Sequence, residues 1–573
     1  MKKFLELITD ELKKAFDEAG FPSEKVVASV SNRPDLCEYQ CNGAMALAKE
    51  AHKAPLDIAQ AVVEVLKKNP VFEEVDAVKP GFINLKVKGD FLTDYVNGMV
   101  ENEKFGLEPA ENPMMVMVDY GGANVAKPLH IGHLRAAIIG ESVKRICKYV
   151  GHETLGDVHL GDWGLQMGQV IAELKLRGMS DFTVSDLEEI YPTASKKCKT
   201  ESDTYDPAFA EEAHRITNEL QYGNEEYRKI WEKILQVSKE DLKKNYDNLE
   251  VFFELWKGES DVQPYIPDMI QKLKDDGLAR ESQGAWVIDV TEDSDKKEFP
   301  PCIVVKSDGS SLYATTDLAT LVEREKLYKP DYIIYVVDKR QSLHLEQVFR
   351  VSKKAGIVHE GEKLFHLGFG TMNGKDGQPY KTRSGGVMRL ESLINEVNEA
   401  VLEKMKDNPD IDREEAEKTS KVIALAALKY GDLSNQATKD YIFDISRFIE
   451  FEGNTGPYIL YTIVRIKSIL NKAGVVPPGK ISFTGTKSEK DLMMELSRFN
   501  DVMETVYNEL APHKLCAYIY DLANAFNGFY HEVKILSEED ATKKDSYLGL
   551  LKLTKEVLEQ CIDLLGFAAP ERM

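Results

Sequence analysis

The sequence contains no apolar segment long enough to cross a membrane, and it does not begin like a secretory signal. A membrane-spanning helix needs about 20 consecutive apolar residues. The first twenty residues instead alternate charged positions with large apolar ones, a pattern typical of an amphipathic surface helix. The apolar positions are Phe4, Leu5, Ile8, Leu12 and Phe16. We therefore expect a cytoplasmic protein that does not enter membranes.

Cysteine is scarce as well. The chain has seven cysteines, an odd number, at positions scattered from Cys37 to Cys561. This distribution favours reduced thiols over a disulfide framework and agrees with a cytoplasmic location. Cys37 and Cys41 stand four residues apart, but no second Cys/His pair follows at zinc-ligand spacing. The sequence therefore predicts no structural metal site.

Positive charge is in deficit. The chain has 73 Lys and Arg against 96 Asp and Glu, a formal net charge of −23 at pH 7. A protein that coats nucleic acid nonspecifically through its overall charge needs the opposite sign. Local basic surfaces can still contact one RNA while the remainder stays acidic. A chain of 573 residues is also too long for a single core, so several domains are expected.

A nucleotide site is predicted where a strand meets a helix near residue 120. Met114 to Tyr120 is a short apolar run, typical of a parallel strand buried on both faces. After a loop, His130-Ile131-Gly132-His133 opens a helix that runs to about Gly151. Backbone N–H groups and the helix dipole favour a phosphate there, and both histidines can donate hydrogen bonds to it. Gly132 leaves room for a flat base. Without such a context, two histidines at a helix start are usually surface or capping residues.

A second nucleotide-like segment, residues 374–386, follows about 250 residues later. It is a glycine-bounded loop with three cations, which can neutralise the β and γ phosphates of ATP as pyrophosphate leaves. On composition alone such a loop is more often an exposed turn. Strands and helices alternate over residues 113–390, and polar clusters follow several of the strands. This pattern predicts a doubly wound parallel sheet with ligands at the C-terminal ends of its strands.

His130-Ile131-Gly132-His133 resembles the HIGH signature of class I aminoacyl-tRNA synthetases, and the longer run Asn124–Arg135 is similar to arginyl-tRNA synthetases in particular. The run Lys381–Gly385 is similar to the KMSKS signature, except that Ser384 stands in place of its second lysine. Gly121 and Gly122 are a further departure, because the family more often carries hydroxyl residues and proline there. We expect them to make the loop before Asn124 more flexible. The resemblance covers essentially the whole chain.

The resemblance implies an arginine–tRNA ligase, which forms arginyl-adenylate from L-arginine and ATP and passes the arginyl group to tRNA(Arg). It implies an α+β N-terminal tRNA-binding domain over 1–112 and a Rossmann-like α/β catalytic domain over 113–450. A helical insertion at about 170–257, with solvated charge runs, and an all-α anticodon-binding bundle over 451–573 complete the chain. Mg²⁺ is expected to accompany ATP, and the chain is expected to be a monomer. By pattern alone, the two outer domains could be ordinary accessory and packing domains.

Residue roles follow from the matching positions. The resemblance assigns arginine binding to Asp119, Asn124, Tyr313, Asp317 and Gln341. It assigns ATP binding to His130, Gly132, His133, His344, Lys381 and Ser384. Catalysis is assigned to His130, His133, Lys127, Lys381 and Arg383, with Lys127 supplying the cation that position 384 lacks. A guanidinium is planar and permanently charged, so carboxylates suit it. Either aspartate could instead pair with a structural arginine, or, for Asp317 above all, cap a helix. Lys127 could simply face solvent or RNA.

Two other classes of function stay open. A nucleotidyltransferase that makes a small adenylylated product shares the HIGH-type fold, but it would lack the helical domain over 451–573. A catalytically silent tRNA-binding relative would not need His130, His133, Lys381 and Asp317 intact. The resemblance further implies that adenylate formation requires tRNA. Arginine-dependent pyrophosphate exchange, measured with and without tRNA, therefore separates the three classes.

Overall fold

The computed structural model describes residues 1–307, 310–380, 388–406, 412–474 and 480–573. The chain divides into two compact units. One unit comprises Met1–Pro109, Phe451–Asp563 and Ala568–Met573, and the other comprises Ala110–Glu450 and Leu564–Phe567. The first and the last segments of the chain therefore share a unit. None of the helices in the described ranges is long and apolar enough to span a membrane.

The N-terminal segment is an antiparallel four-stranded sheet, in the order β1-β2-β4-β3, with helices against it. Its elements are α1 (Phe4–Glu18), β1 (Ala28–Val30), β2 (Tyr39–Cys41), α2 (Gly43–Leu47), α3 (Pro55–Leu66), β3 (Phe72–Val78), β4 (Phe82–Val87) and α4 (Gly89–Glu101). The predicted amphipathic α1 is confirmed, since Phe4, Ile8, Leu12 and Phe16 are buried. Sequence and structure agree on an α+β arrangement here.

The second unit contains the parallel sheet. Its first ten elements are β5 (Met115–Asp119), α5 (Gly132–Tyr149), β6 (Glu153–Asp157), α6 (Leu165–Leu176), α7 (Val184–Cys198), α8 (Pro207–Gln221), α9 (Glu225–Asn248), α10 (Ile266–Asp275), β7 (Arg280–Ser282) and β8 (Ala285–Ile288). The next ten are β9 (Cys302–Val305), α11 (Tyr313–Leu327), β10 (Tyr332–Tyr335), α12 (Ser342–Lys354), β11 (Lys363–His366), β12 (Met372–Asn373), α13 (Leu390–Met405), α14 (Arg413–Leu433), β13 (Tyr441–Ile442) and α15 (Ile445–Phe448).

The parallel strands follow the order β11-β10-β5-β6. β5 therefore lies between β6, the next strand along the chain, and β10, which comes much later. Such a reversal of strand order opens a crevice at the C-terminal ends of the two central strands. The predicted doubly wound parallel sheet is confirmed. It does not include β7, β8 and β9, which form a separate antiparallel sheet because no helix connects β8 to β9.

The C-terminal segment is helical, as predicted, with α16 (Gly456–Ala473), α17 (Lys487–Ser497), α18 (Phe499–Asn508), α19 (Pro512–Glu532) and α20 (Ala541–Leu564). It packs with the N-terminal segment inside one unit, an association that the sequence patterns did not predict. The Asn97 amide donates to the carbonyl of Ile481 (2.8 Å) and accepts from its N–H (2.9 Å). Lys490 forms ion pairs with Glu38 at 2.6 Å and Glu73 at 3.0 Å.

Candidate active site

The two histidines of the HIGH-like turn lie at the start of α5, directly after β5. Their ring centroids are 4.0 Å apart. The N–H of Gly132 donates to Nδ1 of His130 (3.0 Å), and the N–H of His130 donates to Nδ1 of His133 (3.1 Å). A neutral imidazole that accepts at Nδ1 carries its proton on Nε2. Both rings can therefore donate a hydrogen bond from Nε2.

The surroundings of these rings keep them uncharged. Burial, together with the neighbouring His130 ring, lowers the pKa of His133 to about 3. Burial and the charge of Lys127 also lower the pKa of His130, which is nevertheless an exposed residue. A Cβ on Gly132 would lie 2.8 Å from Cε1 of His130, so glycine allows that ring to fold back over the turn. The HIGH-like turn therefore carries two neutral imidazoles that can donate from Nε2.

The loop before the histidines is packed against its surroundings. Asn124 pairs with Gly161, and the N–H of Val125 donates to the Gly161 carbonyl at 3.1 Å. A Cβ on Gly161 would lie 2.1 Å from Oδ1 of Asn124, so the amide covers this glycine. Gly121 has a φ of +94°, and a Cβ there would lie 2.9 Å from the Phe253 ring. Close packing thus explains Gly121, which we expected to add flexibility, and it gives Asn124 a defined position.

The helical insertion contacts this loop. The N–H of Ala126, whose φ is +60°, donates to Oγ of Ser238 on α9 at 3.0 Å. Nζ of Lys127 lies 4.2 Å from the centroid of the Tyr191 ring on α7, a cation–π contact. The insertion therefore supports the residues that lead into the HIGH-like turn, in addition to presenting charged faces to solvent.

The KMSKS-like residues Lys381, Arg383 and Ser384 lie outside the described residues. The described chain resumes at Met388, whose carbonyl accepts from the N–H of Ile131 at 3.0 Å. The N–H of Leu390 donates to the carbonyl of Leu129 at 2.9 Å. Residues 388–390 therefore pair with the HIGH-like turn itself.

α11 and α12 bring together two residues that were predicted to bind different substrates. Oδ2 of Asp317 lies 2.5 Å from Nε2 of His344, in the first turn of α12. Asp317 is the fifth residue of α11, and Leu312 occupies the N-cap, so the helix-cap alternative for Asp317 is wrong. Tyr313 stands one turn earlier on the same face and is 76% exposed. Gln341 ends the 3₁₀ turn just before α12 and is also exposed.

Asp119, the last residue of β5, belongs to a buried charge network. Nη2 of Arg324 donates to Asp119 and also to Asp157 at 2.9 Å, so Asp119 has the structural arginine that we stated as its alternative partner. His159 lies beside them, with Nδ1 3.7 Å from Oδ2 of Asp157 and Nε2 3.3 Å from Oγ1 of Thr320. Burial opposes a charge on His159, but Asp157 raises its pKa to about 9. The carboxylates of Asp119 and Asp157 therefore face two cations, Arg324 and the protonated His159.

Glu259 is a candidate that the sequence patterns missed. Its N–H donates to the carbonyl of Leu160 at 3.0 Å, which holds it beside the loop that follows β6. Burial raises the pKa of Glu259 to about 7. His159 opposes this rise, while the carboxylates of Asp162 and Asp317 add to it. Its single sequence signal is an acidic residue after a glycine near the end of the charged insertion, which is too common a pattern to predict a site.

Comparison with known proteins gives the class and then the family. Residues 96–445 match the family described as tRNA synthetases class I (R), catalytic domain. Fold and site thus define a class I aminoacyl-tRNA synthetase. Residues 2–87 match the arginyl tRNA synthetase N terminal domain, and residues 459–573 match the DALR anticodon binding domain.

Individual relatives agree with these matches. The arginine–tRNA ligases of Agathobacter rectalis and Alkaliphilus oremlandii are 56% and 52% identical to this chain, over 100% of each chain. The crystal structure of the Plasmodium falciparum arginyl-tRNA synthetase is similar with a TM-score of 0.83 and 27% identity, also over 100% of each chain. The chain belongs to the arginyl-tRNA synthetase family. The predicted family and the predicted activity of an arginine–tRNA ligase are confirmed.

Proposed function

We propose that the chain performs arginine–tRNA ligation in the crevice at the C-terminal ends of β5 and β10. The carboxylate of L-arginine attacks the α-phosphate of ATP, and pyrophosphate leaves. Mg²⁺ bound with ATP would neutralise charge on the phosphates. The arginyl group of the adenylate then passes to a terminal ribose hydroxyl of tRNA(Arg), and AMP is released. No covalent bond to the protein forms, so positioning and charge stabilisation supply the catalysis.

The proximity of Asp317 and Glu259 is the observation that supports arginine as the amino-acid substrate. The carboxylate of Asp317 disfavours ionisation of Glu259, and in the described part of the chain neither residue forms an ion pair with a lysine or arginine. A crevice with two such carboxylates needs a positively charged group to balance them. A guanidinium supplies one, with five donors in a planar fork that two carboxylates can accept.

The remaining arginine contacts are assigned around this pair. Tyr313 would flank the guanidinium plane from one turn earlier on α11, and Gln341 would orient it through its amide. Asn124, held over Gly161, would bind the α-amino or carboxylate end. Asp119 is also assigned to arginine binding, with Arg324 holding its carboxylate at the end of β5.

ATP is assigned to the other side of the crevice. The Nε2–H groups of His130 and His133 would donate to phosphate oxygens as charge develops, and Gly132 would leave the turn open to the nucleotide. Lys127 would neutralise the leaving pyrophosphate in place of the lysine that position 384 lacks. Lys381, Arg383 and Ser384 would complete the phosphate contacts, and His344 would contact ATP beside Asp317.

We assign tRNA binding to residues 1–112, catalysis to 113–450 and anticodon binding to 451–573. The division of the chain near residues 109 and 450 supports these boundaries. The acidic net charge and the scattered cysteines support a monomer that acts in the cytoplasm.

The test is arginine-dependent exchange of pyrophosphate into ATP, with and without tRNA(Arg), together with aminoacylation. The decisive variant is Asp317→Asn, and the matched control is Asp289→Asn, an exposed aspartate paired with Arg280. Hydrogen bonds to charged groups contribute roughly 1.5–3 kcal/mol each, so Asp317→Asn should lower kcat/KM for arginine at least ~10-fold. The KM for ATP should barely change.

Each rival function predicts a different result. A nucleotidyltransferase would consume ATP without arginine or tRNA. A silent tRNA-binding relative would bind tRNA and show no exchange under any condition. Normal arginine kinetics in Asp317→Asn would place the guanidinium pocket elsewhere.

A further inference from the structure

Three potential metal ligands meet at the edge of the parallel sheet opposite the candidate active site. Glu325 lies near the C-terminal end of α11, while His359 and Glu362 lie in the loop between α12 and β11. Nδ1 of His359 is 3.1 Å from Oε2 of Glu325 and 3.4 Å from Oε2 of Glu362. The ligand atoms of all three residues lie within 4.8 Å of one another.

The buried carboxylate of Glu362 distinguishes this cluster from an ordinary surface ion pair. The Glu362 side chain is 1% exposed, and its Oε2 has no hydrogen-bond donor among the described residues. Nδ1 of His359 carries at most one proton, and it lies nearer to Glu325. One imidazole therefore cannot satisfy both carboxylates. Burying a carboxylate oxygen without a partner is costly, and a cation bound between the three ligand atoms would remove that cost.

We propose that Glu325, His359 and Glu362 bind one zinc ion, with water as the remaining ligand. Tetrahedral zinc with bonds of about 2.0–2.1 Å places its ligand atoms about 3.4 Å apart, close to both distances from Nδ1. An imidazole ligand favours zinc over Mg²⁺ and Ca²⁺, which prefer oxygen ligands alone. Glu325 and His359 are 24% and 27% exposed, which leaves an entry path for the ion and space for the water.

The ion would have a structural role. It would join the end of α11 to the chain that enters β11. The opposite end of α11 carries Tyr313 and Asp317, so the ion would fix the helix that presents these residues. Sequence patterns did not indicate this cluster, because Glu325 lies 34 residues before His359 and no cysteine takes part.

The competing explanation is a proton shared by the two carboxyl groups. Burial and the charge of Glu325 raise the pKa of Glu362 to about 7, so a neutral Glu362 is accessible near that pH. Zinc binding and proton sharing differ in their response to added metal and to Glu362→Gln, which mimics the protonated side chain.

The first experiment titrates the full-length, chelator-treated protein with Zn²⁺ in a calorimeter and repeats the titration with Co²⁺, whose visible spectrum reports tetrahedral coordination. Wild type should bind one ion. His359→Gln and Glu362→Gln should each weaken the affinity for this ion at least ~100-fold, since even residues that only orient metal ligands contribute 10–100-fold. His214→Gln, an exposed histidine on α8, is the matched control and should bind as wild type does. If both cluster variants bind Zn²⁺ as tightly as wild type does, the proposal is overturned. The absence of binding by wild type would also overturn it.

The second experiment compares thermal unfolding with and without Zn²⁺. The ion should raise the Tm of wild type and of His214→Gln, because it binds the folded state. Glu362→Gln should fold without the ion and gain nothing from it. Mg²⁺ at the same concentration should have no effect. If wild type and Glu362→Gln respond identically to Zn²⁺, the shared proton explains the cluster and the zinc site is refuted.

Discussion

The binding of arginine should change the protonation of the Glu259 side chain. Burial raises its pKa to about 7, and the nearby Asp162 and Asp317 carboxylates hold it there against the opposing charge of His159. A guanidinium in the crevice would stabilise the ionised form and lower this pKa. Binding near pH 7 should therefore release part of a proton. The sequence could not show this, because nothing local marks Glu259 as a neighbour of Asp317.

We predict that the affinity for arginine rises with pH through about 7 and levels off above it, because the carboxylate is then fully ionised before binding. Below pH 7, affinity should fall by up to about tenfold per pH unit. Calorimetry of arginine binding at pH 6, 7 and 8, in buffers of different ionisation enthalpy, measures both the affinity and the proton release. Glu259→Gln should bind arginine weakly at every pH and release no proton, whereas exposed Glu281→Gln should resemble wild type. An affinity that does not change between pH 6 and pH 8 would contradict this role.

Helix α7 shows how an inserted element can serve the site without supplying a reacting group. Its Tyr191 ring lies under the ammonium of Lys127, and its Glu188 forms an ion pair with Arg389, one of the residues that pair with the HIGH-like turn. The insertion's charge runs suggested only solvated faces. These two contacts depend on how α7 packs, and helical periodicity does not report that.

We predict that Lys127→Ala lowers kcat at least ~10²-fold with little change in KM, because a cation that acts on the departing pyrophosphate acts mainly in the transition state. Ser384→Lys in the same chain should restore part of the loss. Tyr191→Ala should lower kcat a few-fold to about tenfold, the range of a cation–π contact, and Tyr191→Phe should be close to wild type.

The measurement is single-turnover formation of the adenylate with saturating tRNA. Tyr191→Phe keeps the ring beneath the ammonium and is therefore the matched control for Tyr191→Ala. If Lys127→Ala forms the adenylate at the normal rate but binds tRNA weakly, this lysine contacts the RNA instead of the phosphates.

At the scale of the whole molecule, the end of the chain belongs to both units. Leu564–Phe567 are part of the catalytic unit, although α20 as far as Asp563 is part of the other. The carbonyl of Gly566 accepts from Nζ of Lys429, a buried residue of α14, at 2.5 Å. Leu565 and Phe567 are buried as well. A chain cut near residue 450 therefore loses part of the catalytic unit together with the helical bundle.

We predict that a chain ending at Asp563 has a weakened catalytic unit, while a chain ending at Phe567 keeps it. The shorter chain loses three buried apolar side chains, Leu564, Leu565 and Phe567, and one of the carbonyls that accept from Lys429, on the order of 5 to 10 kcal/mol in total. Hydrogen exchange of the α14 amides should be faster in the shorter chain, and aminoacylation should fall with it. Equal α14 protection in the two chains would show that Leu564–Phe567 contribute nothing to the catalytic unit.

The sequence by itself determined the family, the alternation that predicts a parallel sheet, and the position of the HIGH-like turn. A strand, its loop and the next helix are contiguous, so local patterning is enough to place His130 and His133 at a helix start beside that sheet. Local patterning also predicts a helix over residues 40–52, and these bounds are wrong. There the chain completes β2, which buries Tyr39 and Cys41, and only Gly43–Leu47 is helical.

Only the tertiary structure decided which partners the charged residues have. Arg324 reaches Asp119 across 205 residues of sequence, and His344 reaches Asp317 from another helix. The same holds for Glu259 beside Asp317 and for the buried oxygen of Glu362. Periodicity shows which face of an element is buried, but it does not show which residue of a distant element faces it. Burial and neighbouring charge set the protonation of these groups, and both arise only when the distant segments pack together.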